Sequence, residues 1–442
     1  MSGAPHADDA AREALDGGAD QAVHEAVDAT DPVALARALI ACPSVTPHDE
    51  GALDVVERAL RPLGFAVERL MMRDEDTPTI ANLYAHNAKQ DASRPPPQGS
   101  ASQGPASKGP SQGSSASQGP VLCFAGHTDV VPPGAVEAWT HPPFAATITD
   151  GRLYGRGAVD MKGAIAAFVA ALARLHREHG TLPGALSLLI TGDEEGPAIN
   201  GTVKVLAWMK EQGLRIDACV VGEPTNPDAL GDEIKIGRRG SLTGTLTVSG
   251  HQGHVAYPAQ ADNPVPKLAR IIDHLSNLTL DTGNENFEPS NLEVTLIKLP
   301  PGSANVIPGE ATAVFNVRYN DQWSREMLEA FLSAQVETAA SACEAEATLT
   351  YAGTGTVFLT EPGPLVDTMK SAIEAVTGRA PALTTGGGTS DARFIQAYAP
   401  VIEFGLVNRT IHAVDEHVAL DDLETLTAIY QRFIEDFFAA HG

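Results

Sequence analysis

Basic residues are scarce in this chain. Lys and Arg total 30 against 56 Asp and Glu in 442 residues, a formal charge of −26. So acidic a surface repels phosphate backbones and anionic bilayers, which argues against nucleic acid or a membrane as partner. A small anionic substrate stays compatible with it, provided that arginines reverse the field locally. Cysteine is scarcer still. Cys42, Cys123, Cys219 and Cys343 stand far apart with no CxxC pair, a pattern that predicts buried thiols in a reducing cytoplasm rather than a disulfide framework. No apolar run reaches the roughly 18 residues of a membrane span. The acidic first twenty residues lack an apolar core, so neither a signal nor a transit peptide is expected, and a cytoplasmic location is.

What is present is a chain with a core. Hydrophobic residues make up 43% of it, and its length suggests two or three domains at roughly 100–200 residues each. Residues 1–29 read as a flexible acidic tail. Residues 93–120 are almost all Ser, Gln, Gly, Pro and Ala, with SQGP at Ser102–Pro105 and again at Ser117–Pro120. Such a segment cannot bury enough apolar surface to order itself. It falls between two strand-like runs, Ile80–Ala85 and Val121–Ala125, and is expected to be an expanded hairpin loop.

Elsewhere helix and strand signals alternate. Asp31-Pro32 opens a helix by the cap-then-proline rule, and Leu53, Val56 and Leu60 mark an amphipathic one. Val121–Ala125, Ala185–Ile190 and Ala218–Val221 read as buried strands, separated by helices near Met161–His179 and Ile199–Gln212. This predicts an α/β domain with a mostly parallel sheet. After Gly240 the order becomes β-α-β-β-α-β, with strands near Ser241–Val248, Leu292–Lys298, Ala311–Arg318 and Ala347–Tyr351. That is the order of a ferredoxin-like α+β module. From about Gly353 the α/β pattern returns, with a helix near Pro364–Thr377, a strand at Val401–Phe404 and a terminal helix after Leu420. The expected division is a catalytic domain in two parts, 30–239 and 353–442, interrupted by an inserted domain at 240–352.

Five clusters carry candidate chemistry. His127 and Asp129 in GHTD follow the run Val121–Ala125 and are two residues apart, so both point one way in extended chain. They suit a metal-binding imidazole with an orienting carboxylate, or a surface turn. Asp160 in GRGAVDMKG precedes a helix and reads as an N-cap or a metal ligand. Asp193-Glu194-Glu195 follows an apolar strand. Its crowded charges suit a solvated turn, or a cation that relieves them, with one glutamate as ligand and one as general base. Glu223 in VGEPT and His412 in TIHAVDEH each follow an apolar strand or its loop. Two imidazoles and three carboxylates are a suitable ligand set for two zinc ions about 3.5–4 Å apart.

GHTDVVP, GRGAVDMKG, TGDEEGP, VGEPT, GRRGSLTG, GHVAYP, NVIP, TGGGTSDARF and TIHAVDEHV together resemble the M20 metallopeptidase family over about residues 31–440, the 93–120 insertion excepted. The resemblance implies a zinc-peptidase-like catalytic domain with a mostly parallel sheet and an inserted dimerisation domain. It implies two zinc ions per subunit, replaceable by cobalt. His127 and Glu223 would hold one, Glu195 and His412 the other, and Asp160 would bridge them. Asp129 would steady His127, and Glu194 would be the general base and later the proton donor. His254 would reach into the partner subunit's site in a homodimer and steady the oxyanion. Arg238, Ser241, Arg318, Thr389 and Asn408 would meet substrate carboxylates, with Tyr257 and Asn305 nearby.

GRRGSLTG, GHVAYP and GGGTSDARF point to the branch that hydrolyses the amide of N-succinyl-L,L-2,6-diaminopimelate. Acetylornithine deacetylases and aminoacylases are the neighbouring alternatives, and a non-catalytic metal-stabilised dimer a remote one. Two departures stand out. Ala304 precedes Asn305 where a second asparagine is expected, and Arg409 adds a positive charge near His412. His251 has no assigned role and reads as a surface residue.

Overall fold

The computed structural model describes residues 27–87 and 119–441. The tail to residue 26 and almost all of the low-complexity insertion lie outside them. The described residues fall into two units. The first comprises the chain up to Ile236, Thr360–Leu383 and Ser390 onward, and the second Gly237–Leu359 with Thr384–Thr389.

In the first unit, α1 (Pro32–Ile40) starts as the sequence predicts, with Asp31 Oδ1 accepting the Val33 and Ala34 amides at 2.9 and 3.1 Å. There follow α2 (Ala52–Leu60), β1 (Ala66–Met72), β2 (Ile80–His86), β3 (Val121–His127), α3 (Lys162–His179), β4 (Ala185–Thr191), α4 (Thr202–Glu211), β5 (Ala218–Val221) and β6 (Glu233–Lys235). The second unit carries β7 (Gly240–Ser249), α5 (Pro264–Ser276), β8 (Asn291–Lys298), β9 (Glu310–Tyr319), α6 (Arg325–Ala342) and β10 (Glu346–Gly355). The chain then forms α7 (Pro364–Thr377), β11 (Ala382–Thr384), α8 (Ala392–Ile395), β12 (Val401–Glu403) and α9 (Leu420–His441).

The large sheet has the order β1-β2-β4-β3-β5-β12-β6-β11. Its centre, β4-β3-β5-β12, is parallel, and β1, β2 and β6 pair antiparallel on either side. The architecture is therefore the expected α/β fold, with the parallel strands gathered in the middle. Every residue of β3 is buried, as a parallel strand covered on both faces requires. Phe124 of β3 stacks on Phe168 of α3 at 4.2 Å, and Tyr430 of α9 meets both rings edge-on. This aromatic cluster fastens helices to the sheet beneath the parallel strand ends.

One expectation fails here. β2 and β3 are not a hairpin, because β4 lies between them, antiparallel to β2 and parallel to β3. β4 is a nearly all-buried apolar strand, and only a central position covers both of its faces. The insertion therefore joins two strands that are not neighbours.

The second unit is a four-stranded antiparallel sheet of order β8-β9-β7-β10 with α5 and α6 packed on one face. β7 alternates between buried and half-buried positions throughout, and β9 does so after its exposed first residue, Glu310. Leu242, Leu246, Phe315 and Val317 meet Leu268, Ile271, Leu328 and Leu332 in its core. Gly244 lies opposite Phe315, and a Cβ there would run into that ring. No helix of the described residues is long and apolar enough to cross a membrane.

Candidate metal centre

Because β3, β4 and β5 run parallel, their carboxyl ends share one edge of the sheet, where open α/β sheets gather their ligands. His127 closes β3, Glu194 and Glu195 follow β4, and Glu223 follows β5. Asp160 precedes α3, but it is not that helix's cap. The N-cap is Met161, with no side-chain cap bond, and the Asp160 carboxylate turns to two imidazoles. Its Oδ1 lies 3.1 Å from His127 Nε2 and its Oδ2 3.3 Å from His412 Nε2. Glu223 Oε1 lies 3.7 Å from His127 Nε2, and Glu195 Oε1 2.9 Å from His412 Nε2. His127, Asp160 and Glu223 offer ligand atoms within 4.8 Å of one another, and so do Asp160, Glu195 and His412. Asp160 belongs to both groups.

The site is neither a surface turn nor a solvated acidic run. His127, Asp129 and Asp193 are 1%, 0% and 2% exposed. His127 Nδ1 donates to the Asp129 main-chain carbonyl at 2.9 Å, which turns Nε2 toward Asp160 and Glu223. The Asp129 carboxylate lies further from that ring, at 3.6 Å. It accepts the Thr46 hydroxyl at 2.7 Å and the amides of Glu194 and Glu195 at 3.2 and 3.1 Å. Asp129 thus aligns His127 through its backbone and the two glutamates through its side chain.

The electrostatics show what the cluster lacks. Burial, then the charges of Asp160 and Glu194, push the Glu223 carboxyl well above the ordinary carboxylate range. Burial does the same to Glu194, reinforced by Asp391, Glu195 and Asp160 against the pull of His127. For His127 burial acts downward, but the hydrogen bond to Asp160 and the charges of Asp160, Glu223 and Asp129 carry the ring well above its usual value. Hydrogen bonds to Asp160 and Glu195 raise His412 to about 10. Asp160, receiving both rings, is held below the carboxylate range in spite of its burial. Glu223 Oε1 is buried without a hydrogen-bond donor, a costly state for a carboxylate oxygen. Divalent cations satisfy that oxygen and offset the crowded negative charge. The nitrogen and oxygen donors present fit zinc, and the group is a candidate dinuclear metal site.

The sequence profile of peptidase family M20/M25/M40 matches residues 123–436. The chain belongs to that family. Among solved structures, this M20 chain is similar to an M20 family metallo-carboxypeptidase, Sso-CP2, from Sulfolobus solfataricus, with 18% identity, TM-score 0.70, and 92% of this chain and 99% of that one covered. It is similar to human carnosine dipeptidase 1, with 18% identity, TM-score 0.68 and 98% and 99% covered. It is also similar to the Bacillus subtilis YXEP protein, described as a dinuclear metal binding peptidase of the M20 family, with 17% identity, TM-score 0.64 and 93% and 97% covered. Likeness at these identities establishes the fold. With the family and the two donor groups it makes the chain a metal-dependent hydrolase.

The other anticipated residues lie on the second unit, Asn408 excepted. Ser241 of β7 pairs across the sheet with Arg318 of β9 and with Gly355 of β10, and a Cβ on Gly355 would touch the Thr389 methyl. Arg238 donates to the Gly386 carbonyl at 2.9 Å. Arg238, Ser241, Arg318 and Thr389 are thereby drawn to one end of the small sheet. His254, Tyr257 and Asn305 form a separate exposed group. The Asn305 carbonyl accepts the Val255 amide at 3.0 Å, and the rings of His254 and Tyr257 lie 5.6 Å apart. His254 Nδ1 accepts the Ala256 amide at 3.0 Å, so its proton sits on Nε2, available to donate outward. Asn408, in the first unit, accepts the Ile411 amide at the start of the turn that carries His412.

The Arg409 charge does not reach His412. It pairs with Asp228 at 2.5 Å in solvent. His251 is exposed, as expected. Sequence reasoning missed Thr46, Arg156, Asp391 and Glu416. Asp391, 5% exposed and 3.9 Å from Arg393 Nη2, lies within TSDARF, a motif read for its family resemblance alone. Glu416 lies four residues beyond His412, inside an acidic run with the look of a surface turn.

Proposed function

We propose that the chain is a di-zinc amidohydrolase that cleaves N-succinyl-L,L-2,6-diaminopimelate to succinate and L,L-2,6-diaminopimelate, a step in lysine and cell-wall precursor synthesis. The observation that carries this substrate is the grouping of Arg238, Ser241, Arg318 and Thr389 on a chain of charge −26. Guanidinium groups bind carboxylates in planar, bidentate fashion, and this substrate has several carboxylates. Motifs GRRGSLTG, GHVAYP and GGGTSDARF support the same choice.

In this reading His127 and Glu223 hold one ion, Glu195 and His412 the other, and Asp160 both. The two ions supply Lewis acidity toward the amide carbonyl and make water acidic near neutral pH. Glu194, its carboxyl raised by burial, takes the proton of the attacking water and delivers it to the departing amine nitrogen. His254, with its proton on Nε2, steadies the developing oxyanion in the partner subunit. Arg238, Ser241, Arg318, Thr389 and Asn408 hold the substrate carboxylates, with Tyr257 and Asn305 beside them.

The homodimer rests on β8, an edge strand of the small sheet. Leu296 and Ile297 on it and Leu299 beyond it are 42%, 59% and 50% exposed, a surface that invites a second chain.

The test is turnover of N-succinyl-L,L-2,6-diaminopimelate, acetylornithine and a dipeptide by chelated protein, with and without zinc restored. Zinc-dependent preference for the succinyl substrate is expected. Preference for acetylornithine would move the chain to a sister deacylase, and preference for the dipeptide to a peptidase like its solved relatives.

A further inference from the structure

Glu416 has no part in the donor groups above, yet its carboxylate, 0% exposed, is fully engaged beside them. Its Oε1 accepts the amides of Val159 and Asp160 at 2.9 and 3.2 Å, and its Oε2 accepts the Gly157 amide at 3.1 Å and Arg156 Nη1 at 2.7 Å. Its own carbonyl accepts the Gly155 amide at 2.9 Å. Four donors from one short loop therefore converge on a single side chain. That loop ends at Asp160, the residue shared by both donor groups.

The other end of the connection is His412. Arg156, 2% exposed and lying over the Trp139 ring at 5.2 Å, sends its second amino group to the His412 carbonyl at 3.4 Å. Between His412 and Glu416 the chain holds two non-glycine residues at positive φ, His412 at 58° and Asp415 at 57°. L-residues hold that conformation only where their surroundings impose it. Asp415 takes the Thr140 amide and hydroxyl at 2.7 and 2.8 Å, and Glu416 and Arg156 tie the turn down from the other side.

We infer that Glu416, with Arg156, is a positioning residue that clamps the Gly155–Asp160 loop to the His412–Glu416 turn and so sets one carboxylate against two imidazoles. Without the clamp, four buried donors lose their acceptor, and the 3.3 Å separation of Asp160 Oδ2 and His412 Nε2 is no longer imposed. The inference rests on the two-ion reading of the site but not on the choice of substrate.

Glu416→Gln tests it with little change of shape. Both oxygens of Glu416 receive main-chain amides, so an amide nitrogen in either place faces an N–H it cannot accept. Zinc is titrated by calorimetry into metal-free parent and variant, and the visible spectrum of each cobalt-loaded protein is recorded. The parent binds two ions. The variant is expected to bind zinc about 10–100-fold more weakly, the usual effect of losing a partner that orients a ligand, and to show altered cobalt bands.

A folded variant with parental zinc affinity and spectrum, and only a lower melting temperature when metal-free, overturns the clamp. If Glu416→Gln does not fold, Arg156→Lys keeps the charge but loses the fork that joins Glu416 to His412. It should weaken zinc in the same direction to a smaller degree, and parental affinity there overturns the clamp equally. A parent protein that binds no zinc overturns the two-ion reading, and the clamp with it. Failure to hydrolyse the succinyl substrate, with two ions bound, touches only the proposed function.

Discussion

The two units place their candidate functional side chains in opposite surroundings. In the first, His127, Glu195 and Glu223 follow strands that are almost wholly buried, Asp160 lies buried in the loop before α3, and His412 stands in an exposed turn. A buried charged group costs free energy unless something pairs with it. His127, Asp160 and Glu223 are accordingly driven far from their ordinary pKa values. In the second unit β7 and β9 alternate between buried and half-buried positions. Ser241 and Arg318 sit on the open face, where polar residues are the rule. The lesson is that burial singles out His127, Asp160 and Glu223 in the first unit, whereas the candidates of the second unit lie where polar residues are ordinary.

The largest expected effect sharpens that contrast. Glu194→Gln should lower kcat by about 10²–10⁴-fold, the usual weight of a general base, while two zinc ions still bind by calorimetry. An unchanged kcat would remove Glu194 from its role. On the second unit Arg238→Met should instead raise KM for the succinyl substrate by about 10–100-fold with a smaller change in kcat, as loss of a charged hydrogen bond implies. If both variants changed kcat alone, the division between a chemical and a binding unit would fail.

A third prediction concerns pH. The ordinary imidazole value of 6.5 is raised to about 10 in metal-free His412, so the protonated ring is favoured by the fold. Its contribution to stability is complete below about 6.5 and is lost as the pH rises through about 10. Zinc must displace that proton. Affinity should therefore climb by about tenfold per pH unit for each proton released in this window. Calorimetry in buffers of different ionisation heat should show the release at neutral pH, and its absence would contradict the hydrogen bonds assigned to His412. The smallest effect lies at the edge of the second unit. Ile297→Lys should weaken self-association in sedimentation while changing unfolding free energy by no more than about 0.5 kcal/mol. An unaltered dimer would locate the interface elsewhere.

Much of the architecture was legible because it is written in local signals. The Asp31-Pro32 cap, the apolar runs of β3, β4 and β5 and the alternation of β7 and β9 each depend on a few neighbouring residues. Strand order is not local. The expected hairpin between β2 and β3 was wrong because a strand some hundred residues away in sequence, β4, is the apolar element that most needs a central place. The same distinction runs through the site. His127, Asp160, Glu195, Glu223 and His412 were legible as candidates beyond strands or in the loops between them, but singly each also fitted a turn, a cap or a solvated run. The N-cap reading of Asp160 failed because two imidazoles compete for its carboxylate more strongly than the helix amides do. Glu416 was illegible because its importance lies in three main-chain amides and one guanidinium reached across more than two hundred and fifty positions.

The central claim is that Asp160 joins two donor groups into one dinuclear centre, and zinc-edge anomalous diffraction from zinc-loaded crystals tests it most directly. Two peaks about 3.5–4 Å apart are expected, one against His127 and Glu223, the other against Glu195 and His412, with Asp160 touching both. A single peak, or peaks that leave Asp160 unliganded, would contradict the account.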